Sequence, residues 1–257
     1  MDFTEGQLLG HTASFIWPLM RISSMFVTIP LFSLRGVPAQ VRLILSVAIT
    51  LVVMPLLPSF QAVEMFSFQG FMVTIAQVMI GMTSGFILQL VFSAVLFAGQ
   101  SVALGMGLGF ASMVDPQNGQ QVPVVAQFYV FTSTLIFLSL DGHLLLIKML
   151  LDSFTSLPIG IEGLTKANIW TIIAWSSRMF AGGFLLTMPI VVSLLLVNVS
   201  FGVATRAAPQ LNIFSVGFPI TLMLGIVLIW LTLPDVLSQF GNILTDAYDL
   251  VGQLLRL

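Results

Sequence analysis

The chain has 257 residues, of which 58% are hydrophobic and only 7% carry a charge. Soluble domains carry roughly 25% charged residues, so this composition cannot supply the polar surface of a water-soluble fold. The net charge of −2 argues against nucleic acid as a partner, because phosphate binding needs a basic surface. The composition therefore predicts an integral membrane protein.

The N-terminal segment 1–11 contains two acidic residues and no lysine or arginine. A cleavable signal peptide begins with a basic region, so we expect none, and we expect the first apolar run to stay in the mature protein. The chain also contains no cysteine, which excludes disulfides, thiolate metal sites and cysteine nucleophiles.

Six apolar runs follow in chain order. A membrane-spanning helix needs roughly 20 mostly apolar residues. The candidate runs are 12–34, 43–60, 71–98, 123–147, 170–199 and 211–233. The last stretch, 235–257, alternates apolar and polar residues and predicts an amphipathic helix at the membrane surface or against a partner. We predict one all-α membrane domain over residues 1–257, with about six long, partly broken helices plus this C-terminal helix.

Polar joints and prolines punctuate these runs. The joints lie at 34–42, 57–70, 151–168 and 205–212. Proline lacks an N–H and cannot complete the helix ladder, yet membrane helices tolerate it where neighbours satisfy the freed carbonyl. Kinked or broken helices are therefore predicted near Pro18, Pro30, Pro55, Pro189 and Pro219.

Four ionisable residues interrupt the apolar runs, where charged groups are expensive and usually face a protein interior or a water-filled path. Arg21 either pairs with a helix carbonyl or reaches the surface, or it forms an ion pair with a neighbouring helix or subunit. Arg178 lies inside an apolar run as well, and it is a second candidate for a charge at a subunit interface. Asp141 and His143 lie near the end of a run, where a helix end that meets water explains both.

The residues do not favour an enzyme. A serine hydrolase needs a nucleophile, a base and an oxyanion hole, and neither histidine lies near a Gly-x-Ser-x-Gly turn. An aspartyl mechanism needs two carboxylates that share a proton, and only Asp141 is placed for that role. The His-Glu-x-x-His zinc motif is absent. We therefore expect no catalysis, no metal and no cofactor.

The segment 105–109 carries three glycines between two long apolar runs. It does not match the Gly-x-Gly-x-x-Gly spacing and no P-loop lysine follows, so nucleotide binding is rejected. Each glycine weakens a helix by about 1 kcal/mol relative to alanine, which predicts an easily unwound segment. The neighbouring Met106, Phe110 and Met113 would fill a pore with deformable apolar bulk. Gly81 and Gly85, by contrast, predict ordinary close packing of helices.

At this point four stretches resemble the FliR family of the flagellar type III export gate, whose injectisome counterpart is SctT. They are RISSMFVTIPLFSLRGVPAQVRL (21–43), GQSVALGMGLGFASMVDPQNGQQVPVVAQFY (99–129), FLSLDGHLLLI (137–147) and VNVSFGVATRAAPQLNIFSVGFPI (197–220). The resemblance covers essentially the whole chain, and the FASMVDPQNG sequence is typical of the flagellar branch.

This resemblance implies a fold and a set of partners. The fold would look like a fusion of the partner proteins FliP and FliQ, in a helical pore assembly of the inner membrane at the flagellar basal body. One copy would join several FliP and FliQ subunits, with FlhB nearby and lipid around them. Unfolded flagellar substrates would cross through the pore, and no nucleic acid or cofactor would take part.

The resemblance also implies that the loop around 105–121 plugs the export pore. Its glycines would let it move, its Phe and Met side chains would fill the lumen, and its polar residues would hold and shape the turn. The implied plug residues are Gly105, Met106, Gly107, Leu108, Gly109, Phe110, Met113, Asp115, Pro116, Gln117, Asn118 and Gly119. Arg206 would be either a solvated residue at the membrane side or a partner for an acidic residue of a neighbouring subunit.

A secondary transporter for a small solute is the alternative prediction, because broken helices and intramembrane charges suit that class too. Such transporters usually contain internal repeats with matched broken segments. Here the Gly-rich break at 105–109 has no counterpart in the other half. A non-enzymatic pore subunit is therefore favoured.

Overall fold

A computed structural model describes residues 5–33, 37–58, 63–108, 123–207 and 213–257. These ranges are helical and contain no strand, which confirms the predicted all-α class. The helices are α1 (Glu5–Thr28), α2 (Pro30–Ser33), α3 (Ala39–Val53), α4 (Phe68–Gly105), α5 (Val124–Ser139), α6 (Gly142–Ser156), α7 (Lys166–Ala207) and α8 (Ile213–Leu255), with a 3₁₀ turn at Met54–Leu56.

Within the described chain, four helical segments are long and apolar enough to cross a membrane: Ala39–Leu56, Phe68–Gly105, Lys166–Arg206 and Val216–Leu255. The bent pair α5 and α6 makes a fifth if its two parts form one span. This pair bends by 60° at Asp141, which has a left-handed φ of 52°. These spans confirm the prediction of a membrane protein. The first predicted run, 12–34, which overlaps α1, is not among the spans.

The chain divides into two compact units. Unit 1 comprises Met1–Leu90, Leu140–Ser176 and Thr245–Leu257, and unit 2 comprises Val91–Ser139 and Ser177–Leu244. Helices α4, α7 and α8 contribute residues to both units. The prediction of one domain over residues 1–257 stays a prediction.

The C-terminal segment differs from the prediction of a separate amphipathic helix at 235–257. Helix α8 runs without interruption from Ile213 to Leu255 and contains Pro219 and Pro234. Each of these prolines removes one N–H from the ladder but leaves the rest of the helix bonded. Proline therefore marked a tolerated position inside the helix, and the predicted boundary before 235 was wrong.

Close packing of α4 against α1 organises unit 1. A Cβ atom at Gly81 would overlap the carbonyl oxygen of Arg21, and one at Gly85 would overlap Oγ1 of Thr28. Only glycine allows two helix backbones to approach this closely. The small-residue packing predicted for this pair is confirmed.

The interior of unit 2 is aromatic and aliphatic. The ring of Phe92 packs edge to face against Phe137 at 5.5 Å and against Phe240 at 5.6 Å between centroids. Such perpendicular pairs place the positive ring edge against the negative face and add to the stabilisation from burial. This core fixes α4, α5 and α8 together within the unit.

Candidate functional site

The glycine-rich end of α4 has a defined hydrogen-bond pattern. The N–H of Gly107 donates to the carbonyl of Leu104 at 3.0 Å, and the N–H of Leu108 donates to the carbonyl of Ala103 at 2.9 Å. Gly107 is left-handed, with φ at 82°. This combination is a Schellman motif, in which glycine takes the left-handed position and the last helix carbonyls find donors. The helix therefore ends at a defined point, whereas the glycine content alone predicts an easily unwound segment.

Two side chains of α7 and α8 hold the backbone of this helix end. Asn198 Nδ2 donates to the carbonyl of Gly105 at 3.2 Å. Thr221 Oγ1 shares its single proton between the carbonyl of Phe218 at 3.0 Å and the carbonyl of Met106 at 3.5 Å. The carbonyls of Gly105 and Met106 lie at the end of α4, where carbonyls lack partners inside the helix. These roles could not be predicted from the sequence, because the donors lie 93 and 115 residues further along the chain.

Met106 is a core residue of unit 2. It is 1% exposed and belongs to a buried cluster with Val102, Ile190 and Leu194. Its side chain packs onto Gly225, where an added Cβ would lie 2.5 Å from its Cγ. The Met106 side chain is therefore packed inside unit 2, and its predicted role in a pore lumen stays a prediction.

The predicted plug lies partly within the described residues. Gly105, Met106, Gly107 and Leu108 form the end of α4 just described. The remaining plug residues lie outside the described residues; they are Gly109, Phe110, Met113, Asp115, Pro116, Gln117, Asn118 and Gly119. The plug function stays a prediction. The four described residues of the predicted plug form a hydrogen-bonded helix end.

Arg21 occupies a closed polar site in unit 1. Its Nε donates to Oε1 of Gln77 at 2.8 Å, Nη1 donates to the carbonyl and Oγ of Ser153 at 3.1 and 2.9 Å, and Nη2 donates to the carbonyl of Leu157 at 2.9 Å. The guanidinium also lies 4.2 Å from the ring centroid of Phe154. The residue is completely buried.

The partners of Arg21 explain how a buried cation is tolerated without a carboxylate. Ser153 and Leu157 lie at the C-terminal end of α6, where the helix dipole favours positive charge and the carbonyls need donors. Of the two alternatives left open for Arg21, these contacts correspond to pairing with helix carbonyls. The predicted role at a subunit interface has no support from this buried position.

The other two predicted interface charges are exposed. Arg178 lies in α7, and Arg206 lies in the last turn of the same helix. A cation in that turn is favoured by the helix dipole. In the described ranges no carboxylate lies within 4.0 Å of the Arg206 guanidinium. Both residues are exposed, and their pairing with a neighbouring subunit stays a prediction.

Asp141 and His143 lie at the corner between α5 and α6. Asp141 is exposed, in keeping with a helix end that meets water. Tyr248 Oη donates to the carbonyl of Gly142 at 2.7 Å and so ties the corner to α8. No group of three or more His, Cys, Asp or Glu residues suited to a metal occurs among the described residues.

The chain was compared with models of known protein families. Residues 12–247 match the family described as bacterial export proteins, family 1. The chain belongs to this family. The match spans most of the chain, including α1, both units and the glycine-rich end of α4.

The chain is also similar to the flagellar biosynthetic protein FliR of several bacteria. It is 37% identical to that of Pectobacterium carotovorum subsp. carotovorum over 255 residues, covering 99% of this chain and 97% of the relative. It is 36% identical to that of Escherichia coli (strain K12) with the same coverage. It is 29% identical to that of Bacillus subtilis (strain 168) over 250 residues, or 95% of each chain. The resemblance to the FliR family is confirmed.

Membership of this family supports a role in flagellar protein export at a membrane. The relatives are named as biosynthetic proteins of the flagellum rather than as enzymes. This agrees with the non-enzyme prediction without testing it.

Proposed function

We propose that this chain is a non-enzymatic pore subunit of the flagellar type III export gate in the bacterial inner membrane. It assembles with FliP and FliQ, lies beside FlhB, and passes unfolded flagellar substrates. Its fold resembles a fusion of its two partners. Driving energy comes from other parts of the apparatus, and this chain supplies the walls and the closure of the pore.

The apolar surface of α7 is the observation that carries the proposal. Large exposed apolar side chains occur along this helix from Ile169 to Val203. At 1.5 Å per residue this surface is about 50 Å long, against about 30 Å for the hydrocarbon core of a bilayer. Helix tilts of up to about 40° do not absorb that excess. Lipid alone cannot cover such a surface, so neighbouring subunits are needed.

The fixed end of α4 supports a plug that is hinged at one place. The Schellman motif at Gly107 and the core position of Met106 anchor the segment before residue 109. The proposed moving part is therefore 109–121, which blocks ions at rest and is displaced by substrate. The anchor keeps this part attached to the pore wall while it moves.

Native mass spectrometry after co-expression with FliP and FliQ tests the assembly. We expect one copy of this chain in a large mixed oligomer. A chain that purifies alone or as a small homo-oligomer, with both partners present, would contradict the proposal and favour a solute transporter.

Deletion of residues 110–118 tests the plug while preserving Met106 and Gly107. The expected result is a membrane that leaks ions, measured as loss of membrane potential, with the complex still assembled. Cells with the deletion that keep normal potential and motility would refute the plug.

Arg206→Ala tests the exposed interface cation. If Arg206 pairs with a desolvated carboxylate of FliP or FliQ, its removal costs about 3 kcal/mol or more, because the partner charge is left buried alone. Recovery of partners with the tagged chain should fall, and Arg206→Lys should restore it. Unchanged recovery with the alanine variant would defeat this role.

A further inference from the structure

A cavity with a mainly apolar lining opens between α7 and α8 within unit 2. It has a volume of about 250 Å³, and its lining includes Leu185, Pro189, Thr232, Asp235 and Gln239. Asp235 is the one acidic residue in the described part of unit 2, and it is exposed. It follows the exposed apolar side chains of Trp230 and Leu231. A carboxylate in such apolar surroundings marks a functional position by default.

Three groups of this cavity can accept hydrogen bonds, beside the Gln239 side chain, whose amide nitrogen donates. Pro189 has no N–H, so it cannot donate to the carbonyl of Leu185, one turn earlier in α7. The hydroxyl of Thr232 donates its proton to the carbonyl of Leu228 at 2.9 Å, which leaves its oxygen as an acceptor. The Asp235 carboxylate adds a full negative charge. The cavity therefore suits a cation that carries several N–H donors.

This chain does not supply that cation in its described part. No lysine, arginine or histidine of those ranges lies within 4.0 Å of the Asp235 carboxylate. Unit 2 contains two basic residues, Arg178 and Arg206. They lie 11 and 17 residues from Pro189 along α7, about 17 and 25 Å along the axis at 1.5 Å per residue.

The chemistry of the lining distinguishes between possible cations. A bound metal ion is disfavoured, because hard cations take several carboxylate ligands and the described residues hold no cluster of three candidate ligands. An ammonium or guanidinium on a flexible apolar stem fits better, because its stem can lie along Leu185 and its donors can reach the acceptors.

We propose that a neighbouring subunit inserts a lysine or arginine side chain into this cavity, where it pairs with Asp235. The inference rests on the proposed assembly with FliP and FliQ, and it identifies the α7–α8 face of unit 2 as one of their docking surfaces. The surrounding apolar side chains exclude water from the pair, which makes it specific for a correctly placed partner.

The test uses the tagged chain co-expressed with both partners. Asp235→Asn keeps the size of the side chain and removes its charge, so we expect on the order of tenfold less partner per chain. Asp235→Glu should retain most of the partner. Asp249→Asn, the same change at another exposed aspartate of α8, is the matched control and should leave recovery unchanged. Full recovery of both partners with Asp235→Asn would overturn the inference.

A crosslink identifies the occupant independently of assembly strength. The chain has no cysteine, so Gln239→Cys gives it one thiol at the rim of the cavity for a benzophenone maleimide. After irradiation of the complex, we expect a crosslink to a FliP or FliQ peptide that contains lysine or arginine. Products with lipid alone, or with a second copy of this chain, would overturn the inference.

The two proposals fail in different ways. If the unmodified chain forms the mixed oligomer but Asp235→Asn assembles equally well, the proposed function stands and the docking inference falls. If the unmodified chain forms no complex, both fall.

Discussion

The C-terminal ends of α6 and α4 are closed in two different ways. The end of α6 receives its donors from Arg21, a side chain of α1, which also bonds Gln77 of α4. The end of α4 closes on itself through the backbone of Gly107 and Leu108. The first arrangement ties three helices into one interior site. The second uses only backbone groups of residues next to one another in the chain.

This difference separates a structural site from one that suits a movable segment. The Arg21 site depends on residues 56, 132 and 136 positions apart, so each helix must be in place before the site is complete. The Gly107 motif depends on six consecutive residues, 103–108, with glycine at the left-handed position. A local closure of this kind can anchor a segment that changes position without disturbing the unit beneath it.

Arg21→Met should give the largest effect of the changes that probe this contrast. It leaves the carbonyls of Ser153 and Leu157 and Oε1 of Gln77 buried without donors, at a cost of about 3 kcal/mol or more. Thermal unfolding of the purified chain in detergent measures the loss. Arg21→Lys keeps the charge but loses the forked geometry, so it should recover only part of the stability. Wild-type stability of Arg21→Met would show that the site does not tie the three helices.

Gly107→Ala should have the next largest effect. A left-handed alanine costs about 1–2 kcal/mol, and its Cβ would lie 3.2 Å from Cδ2 of Phe218. Gly202→Ala is the matched control, because a Cβ there meets nothing within 4 Å and alanine favours helix. Unfolding temperatures should therefore move in opposite directions. A shift of the unfolding temperature with the same sign in both variants would contradict a need for glycine at the left-handed position of residue 107.

The sequence predicted the features that depend on neighbouring residues better than the contacts between distant helices. Glycine content located the end of α4 near Gly105, and Gly81 with Gly85 located a close helix contact, because both depend on residues next to each other in the chain. The partners of Arg21 lie on distant helices, so its alternatives stayed open. The continuity of α8 across residue 235 was missed, because the boundary was placed where polar residues begin to alternate with apolar ones, and one helix carries both patterns.

Arg256→Gly should have a smaller effect, with the opposite sign to that of Gly107→Ala. Arg256 occupies the left-handed position of a second Schellman motif, with φ at 57° and the N–H of Leu257 bonded to the carbonyl of Gly252 at 2.9 Å. Glycine removes strain of about 1 kcal/mol there. The lost ion pair with Glu162 is long, at 4.0 Å, and exposed, so it contributes little. A lower unfolding temperature would show that the side chain matters more than the backbone at this end.

Asn198→Ala should have the smallest effect on stability and the most local one. It removes the donor to the carbonyl of Gly105, a partly exposed bond worth about 0.5–1 kcal/mol. Hydrogen exchange should accelerate at the amides of Gly107 and Leu108, while the amides near Arg21 keep their protection, because the lost bond lies within unit 2 and the Arg21 site lies within unit 1. Ser200→Ala removes only a bond within α7, to Leu196, and serves as the control. Faster exchange at both sites would mean that the end of α4 is coupled to unit 1. It would contradict the interpretation that the end of α4 is stabilised locally.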